Sequence, residues 1–326
     1  MKKAANVIKY LVLLGVSGFL MAYALRGINF TAVKEQLAQV NYLWIWLTIF
    51  ISVAGYASRA YRWRMQFQPL GYIPSFWQAY HALMVGYLAN TVLPRAGEVI
   101  RCTTLKRSAD IPVNVSLGSV ITERVIDLLL LLSCVGLTLL LEFDRLHTFF
   151  LEMFSSKYAG LQRNLETLYL LIVIALLGTT AVGWYLYKNI QQLQQNKYFQ
   201  KVSQFVQGIL EGIFSIRQME QKGAFIFHSL FIWVTYFLTS YLAFFALPGT
   251  SQLTWQAGMA ILVVGGLGMS APVQGGIGVY HILVRTTLLL YAVPLNTGMA
   301  FALIVHTSQA ILVVLMGVVS IIASLI

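Results

Sequence analysis

The stretch Asn90-Thr-Val-Leu-Pro-Arg-Ala-Gly-Glu-Val-Ile-Arg101 decides how this chain folds, because it stands at the end of the apolar run 74–93. It combines two arginines, a glutamate and an asparagine with a helix-breaking Pro-x-x-Gly. Further along, Glu123, Arg124 and Asp127 open another apolar run. Ionisable side chains at membrane depth cost several kcal/mol unless they are paired or hydrated. The two groups therefore predict a functional site inside a membrane protein.

The composition indicates one integral membrane domain over residues 1–326. Hydrophobic residues make up 58% of the chain and charged residues 10%, and apolar runs long enough to cross a hydrocarbon core recur throughout. The net charge is +11, but the basic residues lie between the apolar runs. This distribution indicates membrane orientation and contact with anionic lipid, and it argues against nucleic acid as a partner.

Eight apolar runs divide the chain, at 7–25, 42–58, 74–93, 112–141, 167–187, 224–247, 255–292 and 297–326. The first run follows Lys2 and Lys3 and ends in small residues, as a signal peptide does. Because further apolar runs follow it, we expect an uncleaved first helix whose N-terminus is cytoplasmic.

The distribution of basic residues predicts that segment 74–110 does not cross the membrane. If every run crossed once, 9 Lys and Arg would be cytoplasmic and 11 would lie outside. If 74–110 enters and returns to the same face, 15 are cytoplasmic and 5 outside, with Arg59, Arg62 and Arg64 counted in a cytoplasmic loop. The positive-inside rule favours the second arrangement. We therefore predict a re-entrant hairpin on the cytoplasmic side.

A second broken segment lies in the C-terminal half. The glycine-rich stretch 265–278 interrupts the apolar run 255–292, which we predict to be a re-entrant hairpin from the outer side. Two broken segments of opposite orientation are typical of inverted-repeat transporters, whose substrate sites lie between the repeats. The sequence thus predicts an all-α polytopic membrane protein, with about six full transmembrane helices, two Gly/Pro-broken hairpins and an inverted repeat.

Residues 188–222 show a different pattern. Apolar residues recur there at helical spacing among Gln, Lys and Glu. This pattern predicts an amphipathic cytoplasmic segment on the membrane surface, or a helix that extends from the preceding span.

The first hairpin carries side chains suited to a phosphate. Arg95 lies near the start of the helix that follows the break, where free backbone N–H groups favour anions. Glu98 and Arg101 are three residues apart and share a helix face. We predict that Asn90, Arg95, Glu98 and Arg101 bind a lipid phosphate, with Glu98 orienting the arginines or binding a cationic headgroup. The alternative is that the arginines are interfacial anchors and Glu98 neutralises one of them.

The acidic residues of the next run also share one helix face. Glu123 and Asp127 are four residues apart, with Arg124 beside them. Buried carboxylates either pair with arginine or take up protons. We predict a supporting ion-pair network that ties the hairpin to this helix; proton coupling is the alternative.

The glycine-rich segment is predicted to form the opposite gate. It formally fits a dinucleotide-binding fingerprint, but no βαβ unit surrounds it, so that interpretation fails. His281 and Arg285 are four residues apart and share a helix face, although a histidine in a membrane helix is more often a structural hydrogen-bonding group. The predicted gate residues are Pro272, Gly275, Gly276, Gly278, His281 and Arg285. No phosphate-binding GKS/T loop and no zinc-ligand spacing occurs, so we predict no metal and no cofactor.

The order of these motifs resembles the lysylphosphatidylglycerol synthase transmembrane-region family over nearly the whole chain. The resemblance rests on Asn90, the Leu93–Glu98 run, Arg101, Glu123-Arg124, Asp127, Pro272 and the Gly275-Gly-Ile-Gly278 motif. It implies a multi-pass bacterial inner-membrane protein that moves or binds a phospholipid or related lipid. Full-length synthases also carry a soluble aminoacyl-transferring domain; none follows the last apolar run here, so we expect no aminoacyl-lipid synthesis by this chain alone. His281 stands where the family usually has an acidic residue.

The function that we predict from these features is lipid translocation, of flippase or scramblase type. The partner is a membrane lipid: an anionic or zwitterionic phospholipid, or an aminolipid. Two alternatives remain open: a membrane glycosyltransferase that acts on a lipid-linked sugar, and a non-catalytic protein that presents lipid to a separate synthase.

Overall fold

The computed structural model describes residues 14–145 and 219–324, together with Trp184, Lys188 and Gln200. Over these ranges every regular element is helical, which confirms the predicted fold class. The helices are α1 Leu14–Ala24, α2 Phe30–Ala38, α3 Tyr42–Met65, α4 Phe76–Val92, α5 Gly97–Ala109, α6 Val113–Leu141, α7 Lys222–Leu242, α8 Trp255–Ser270, α9 Val279–Leu289 and α10 Leu295–Ala323.

Four of the described helices are long and apolar enough to cross a membrane: α3, α6, α7 and α10. They match four of the six full spans that the sequence predicts. The predicted span 7–25 is described only from Leu14, and the span 167–187 lies almost entirely outside the described residues. Most of the predicted amphipathic segment 188–222 lies outside them too.

Helix α3 is longer than the apolar run that predicted it. The run ends at residue 58, but the helix continues to Met65 and is followed by a short 3₁₀ turn, Gln68–Leu70. Arg59 and Arg62 therefore lie inside a helix and are buried. The prediction that these two arginines belong to a cytoplasmic loop is wrong. When Arg59, Arg62 and the hairpin's Arg95 and Arg101 are left out, 11 cytoplasmic and 5 outer basic residues remain, which still favours the same orientation.

Helices α4 and α5 form the first hairpin, and they pack against each other along their length. The closest approach joins Gly86 and Gly97, where a Cβ on either glycine would overlap the other's carbonyl oxygen. The side chain of Asn90 closes the turn by accepting a hydrogen bond from the Gly97 N–H at 2.8 Å. Two backbones can approach this closely only where side chains are absent, as in other membrane helix pairs.

Helices α8 and α9 form the second hairpin, and the break between them is built from glycine. Gly275, Gly276 and Gly278 all have positive φ, which glycine adopts without steric cost. A Cβ at Gly278 would also overlap the backbone of α1 at Leu20 and Met21. The glycines thus serve the turn and the packing of α1 against it.

The long helix α10 lies beside both hairpins. Near its start Gly298 packs against Arg285 of α9, and near its end Ser320 bonds His81 of α4 at 3.1 Å. Between these contacts α10 rises about 33 Å, close to the thickness of a hydrocarbon core. The hairpins therefore approach α10 from opposite ends.

The tips of the two hairpins meet near the middle of α10. The side chain of Gln274 donates to the carbonyl oxygen of Val92, which ends α4, at 3.3 Å. His306, close to the centre of α10, bonds the Gly275 carbonyl at 2.7 Å. The faces from which the hairpins enter, and the inverted repeat, stay predictions.

The Gly86–Gly97 contact predicts a large effect of one methyl group. Gly97→Ala would push against the Gly86 carbonyl and the Asn90 carboxamide, so we expect it to destabilise the protein by about 1–3 kcal/mol. Gly136→Ala is the matched control, because a Cβ there meets no atom within 4 Å and alanine favours a helix. Thermal unfolding in detergent micelles would compare them. Equal stability of the two variants would contradict the close packing of the hairpin.

Candidate functional site

The centre of the site is the carboxylate of Glu123 on α6, which is fully buried. Its Oε1 accepts hydrogen bonds from Arg59 at 2.8 Å and Arg62 at 3.3 Å, both on α3. Its Oε2 accepts one from Arg101 on α5 at 2.8 Å. One side chain thus joins two long helices and the first hairpin.

Asp127 lies one helical turn beyond Glu123 and completes the network. It pairs with Arg62 at 2.8 Å and also with Arg59. The hydroxyl of Tyr236 on α7 accepts a further hydrogen bond from Arg59. The network therefore spans four helices: α3, α5, α6 and α7.

The charges of this network do not cancel. Three arginines face two carboxylates, which leaves one excess positive charge. The Nε atoms of Arg62 and Arg101 are buried without a hydrogen-bond partner. Arg101 also stacks over the Trp63 ring, 4.7 Å from its centroid, which offsets part of its charge. A buried cluster with excess positive charge attracts anions.

Spacing along the two helices explains the pairing. Arg59 and Arg62 are three residues apart on α3, and Glu123 and Asp127 are four apart on α6, so each pair occupies one helix face. The two faces meet through these ion pairs and through the hydrogen bond that the Trp63 indole donates to Ser119 at 2.9 Å.

A second ion pair lies on the outside of the bundle. Arg124 of α6 bonds Glu98 of α5 at 2.9 Å, and their side chains are 48% and 26% exposed. Their exposed neighbours are apolar: Val99, Ile121 and Leu128. A polar pair among exposed apolar side chains on a membrane helix lies where lipid would contact the protein.

Arg95 occupies the tip of the first hairpin. The Ala96 N–H bonds the Leu93 carbonyl at 3.1 Å across Pro94 and Arg95, and the φ of Arg95 is +64°. Proline at the second position and a positive φ at the third define a type II turn, which normally has glycine at the third. The guanidinium is exposed, and no hydrogen bond or ion pair engages it in the described part of the chain.

At the tip of the second hairpin, two imidazole rings are in contact. His281 of α9 and His306 of α10 have ring centroids 4.7 Å apart, and His281 is buried. Arg285 does not face them, because its guanidinium donates to the carbonyl of Ala24 at the end of α1. Cationic side chains stabilise helix C-termini in this way.

The structure divides the predicted site residues into separate groups. Glu98 and Arg95 lie at the exposed tip of the first hairpin, whereas Arg101 is 3% exposed and belongs to the Glu123 network. The Asn90 side chain closes the hairpin turn, and Arg285 caps α1. The gate glycines lie at the second tip with Pro272, which is exposed. Whether any of them binds lipid stays a prediction.

Sequence reasoning missed Arg59, Arg62, Tyr236 and His306. The two arginines looked like loop residues because they follow an apolar run. Their three-residue spacing, set against the four-residue spacing of Glu123 and Asp127, was the signal that could have found them. For Tyr236 and His306 the sequence holds no such signal, since both lie within apolar runs.

Comparison with known proteins supplies one match. The family model described as Lysylphosphatidylglycerol synthase TM region matches residues 7–317 of the 326-residue chain. No curated protein and no solved structure matches this chain.

The buried network predicts that Glu123 is essential for stability. Glu123→Gln would leave three buried arginines facing Asp127 alone, so we expect a loss of about 3–5 kcal/mol. Glu35→Gln, an exposed position on α2, is the control and should change stability by less than about 0.5 kcal/mol. Unfolding in detergent measures both. A Glu123→Gln variant as stable as the control would rule out the network as the main tie between the hairpin and α3.

Proposed function

The chain belongs to the lysylphosphatidylglycerol synthase TM-region family, multi-pass membrane domains tied to lipid biology, and on this premise we propose that it translocates a phospholipid or related lipid across the bacterial inner membrane. The observation that carries the proposal is Arg95, an exposed cation without a described partner at the junction of the two hairpin tips.

The backbone at Arg95 supports a binding role. For a residue with a Cβ, the left-handed region is about 1–2 kcal/mol less favourable than the right-handed conformation. Glycine would avoid this cost, yet the chain has arginine there. Backbone strain of this kind clusters at ligand sites. The guanidinium can bind a phosphate through two parallel hydrogen bonds.

The Glu98–Arg124 pair extends the polar path along the lipid-facing side. Arg124 offers a second cation for the phosphate, and Glu98 a carboxylate for an ammonium group. A zwitterionic headgroup or an aminolipid can engage both residues, and an anionic headgroup can engage Arg124 through its phosphate. The headgroup would pass along this polar strip while its acyl chains remain in the bilayer.

The two hairpin tips act as the barrier in this proposal. Their contact through Gln274 and Val92 closes the junction at about the middle of α10. A headgroup can pass only when the tips separate. The Glu123 network holds α5 in place during that movement, so Arg101 is a positioning residue rather than a ligand.

The described carboxylates favour transport over the enzyme alternative. A glycosyltransferase needs a carboxylate that is free to accept or donate a proton at the substrate. Glu123 bonds three arginines, Asp127 bonds two, and Glu98 bonds Arg124. Each of these three carboxylates is therefore already engaged by at least one arginine.

Replacement of Arg95 by glycine separates binding from folding. Arg95→Gly removes the cation and relieves the positive φ, so we expect unchanged or higher stability with at least a tenfold loss of lipid translocation. Arg95→Lys keeps a charge without the bidentate geometry and should retain part of the rate. Arg107→Ala, an exposed arginine at the other end of α5, is the matched control and should transport normally.

The assay is translocation of tail-labelled fluorescent lipids with different headgroups in proteoliposomes, followed by quenching of the outer leaflet. Headgroup-selective movement by the wild type that Arg95→Gly lacks would support the proposal. Equal rates in Arg95→Gly and wild type would place the site elsewhere. No movement of any lipid by folded wild-type protein would overturn translocation and favour the glycosyltransferase or the lipid-presenting partner.

A further inference from the structure

The contact between His281 and His306 joins the second hairpin to the centre of α10. His281 is 2% exposed, and its ring centroid lies 4.7 Å from that of His306. The Gly275 carbonyl can only accept, so the His306 Nε2 at 2.7 Å carries a hydrogen and donates it. His306 thereby holds the glycine tip against α10.

His281 has a buried polar atom that the fold does not use. Its Nδ1 is buried and has no hydrogen-bond partner. Buried polar atoms are nearly always hydrogen-bonded, and an exception calls for an explanation. A structural histidine would use this nitrogen to bond a neighbouring helix, as His81 does with Ser320.

The elements that pack against the pair supply no negative charge. Helix α8 carries no ionisable side chain, α10 carries only His306, and α9 contributes Tyr280 and Arg285 besides His281. The described part of α1 contributes Tyr23, and Arg26 follows that helix. A proton on the pair would therefore be an uncompensated cation at membrane depth, which is unfavourable until an anion arrives.

The same tip is where the proposed headgroup path is closed. Gly275, which His306 holds, is adjacent to Gln274, and Gln274 bonds Val92 three residues before Arg95. An anionic headgroup bound at this junction would bring the missing negative charge to the histidine pair.

We propose that His281 and His306 form a proton-binding site that fills together with an anionic lipid headgroup, so that lipid binding takes up a proton from water. This proton site rests on the proposed function and makes the proton the ion that is coupled to lipid transport. Linkage requires the reciprocal effect: protonation strengthens lipid binding by the same factor by which the lipid strengthens protonation. The proton adds to a ring nitrogen, and no covalent bond of the lipid changes.

The test is proton uptake when phosphatidylglycerol binds to the purified protein in weakly buffered detergent solution, followed with a pH-sensitive dye. Wild type should take up to one proton per bound lipid, and its affinity should fall by up to tenfold per pH unit as the pH rises. Phosphatidylcholine, which has no net charge, should bind with less uptake. His281→Gln and His306→Gln should bind the lipid without proton uptake or pH dependence.

His81→Gln is the matched control, since His81 lies on α4 and bonds Ser320 near the other end of α10. It should keep the proton uptake of the wild type. Lipid binding by wild type without proton uptake would overturn the proton site and leave the proposed translocation standing. Uptake that persists in both His281→Gln and His306→Gln would also overturn it, and failure of wild type to bind any lipid would overturn both proposals.

Discussion

The ion pairs of the buried Glu123 carboxylate are the interaction on which the rest of the structure depends. A charge at membrane depth is tolerated only with partners, and removal of one partner leaves the others buried and unpaired. Arg59, Arg62 and Arg101 come from α3 and α5, so the electrostatic requirement of one carboxylate fixes the first hairpin to two long helices. The hairpin tip is thus positioned by charges remote from it.

Because Arg101 ties α5 to Glu123, the first hairpin can hold a tip whose backbone conformation is unfavourable. Arg95 is in the left-handed region and exposes its guanidinium, and across the junction three glycines with positive φ form the opposite tip. Helix α10 aligns the two tips along its length. Arg95 and the three positive-φ glycines therefore meet at one place near the middle of α10, while the paired charges of the Glu123 network lie beside it. This separation of scaffold and site is the main argument for a transport path.

Helical content, four of the six predicted spans and the two breaks could be predicted from sequence, because apolar length and Pro or Gly interruptions are local signals. The pairing of Glu123 and Asp127 with arginine was also predictable, but not the partners on α3. Arg59 and Arg62 follow an apolar run and resemble loop residues; only the structure shows that α3 continues past them and pairs them with α6. The roles of Arg101, Asn90 and Arg285 depended on which helices become neighbours, which spacing within one helix does not reveal. The contact between His281 and His306 could not be predicted either, because it depends on how α9 packs against α10.

The central claim is that a lipid headgroup passes between the two hairpin tips. The most direct measurement is lipid translocation by a Val92→Cys/Gln274→Cys variant, without the native Cys102 and Cys134, before and after the two thiols are joined by a short, cleavable thiol-reactive crosslinker. We predict that the crosslinked protein is inactive and that cleavage of the crosslinker restores transport. Equal rates in the crosslinked and cleaved protein, with the crosslink verified by mass spectrometry, would contradict passage between the tips.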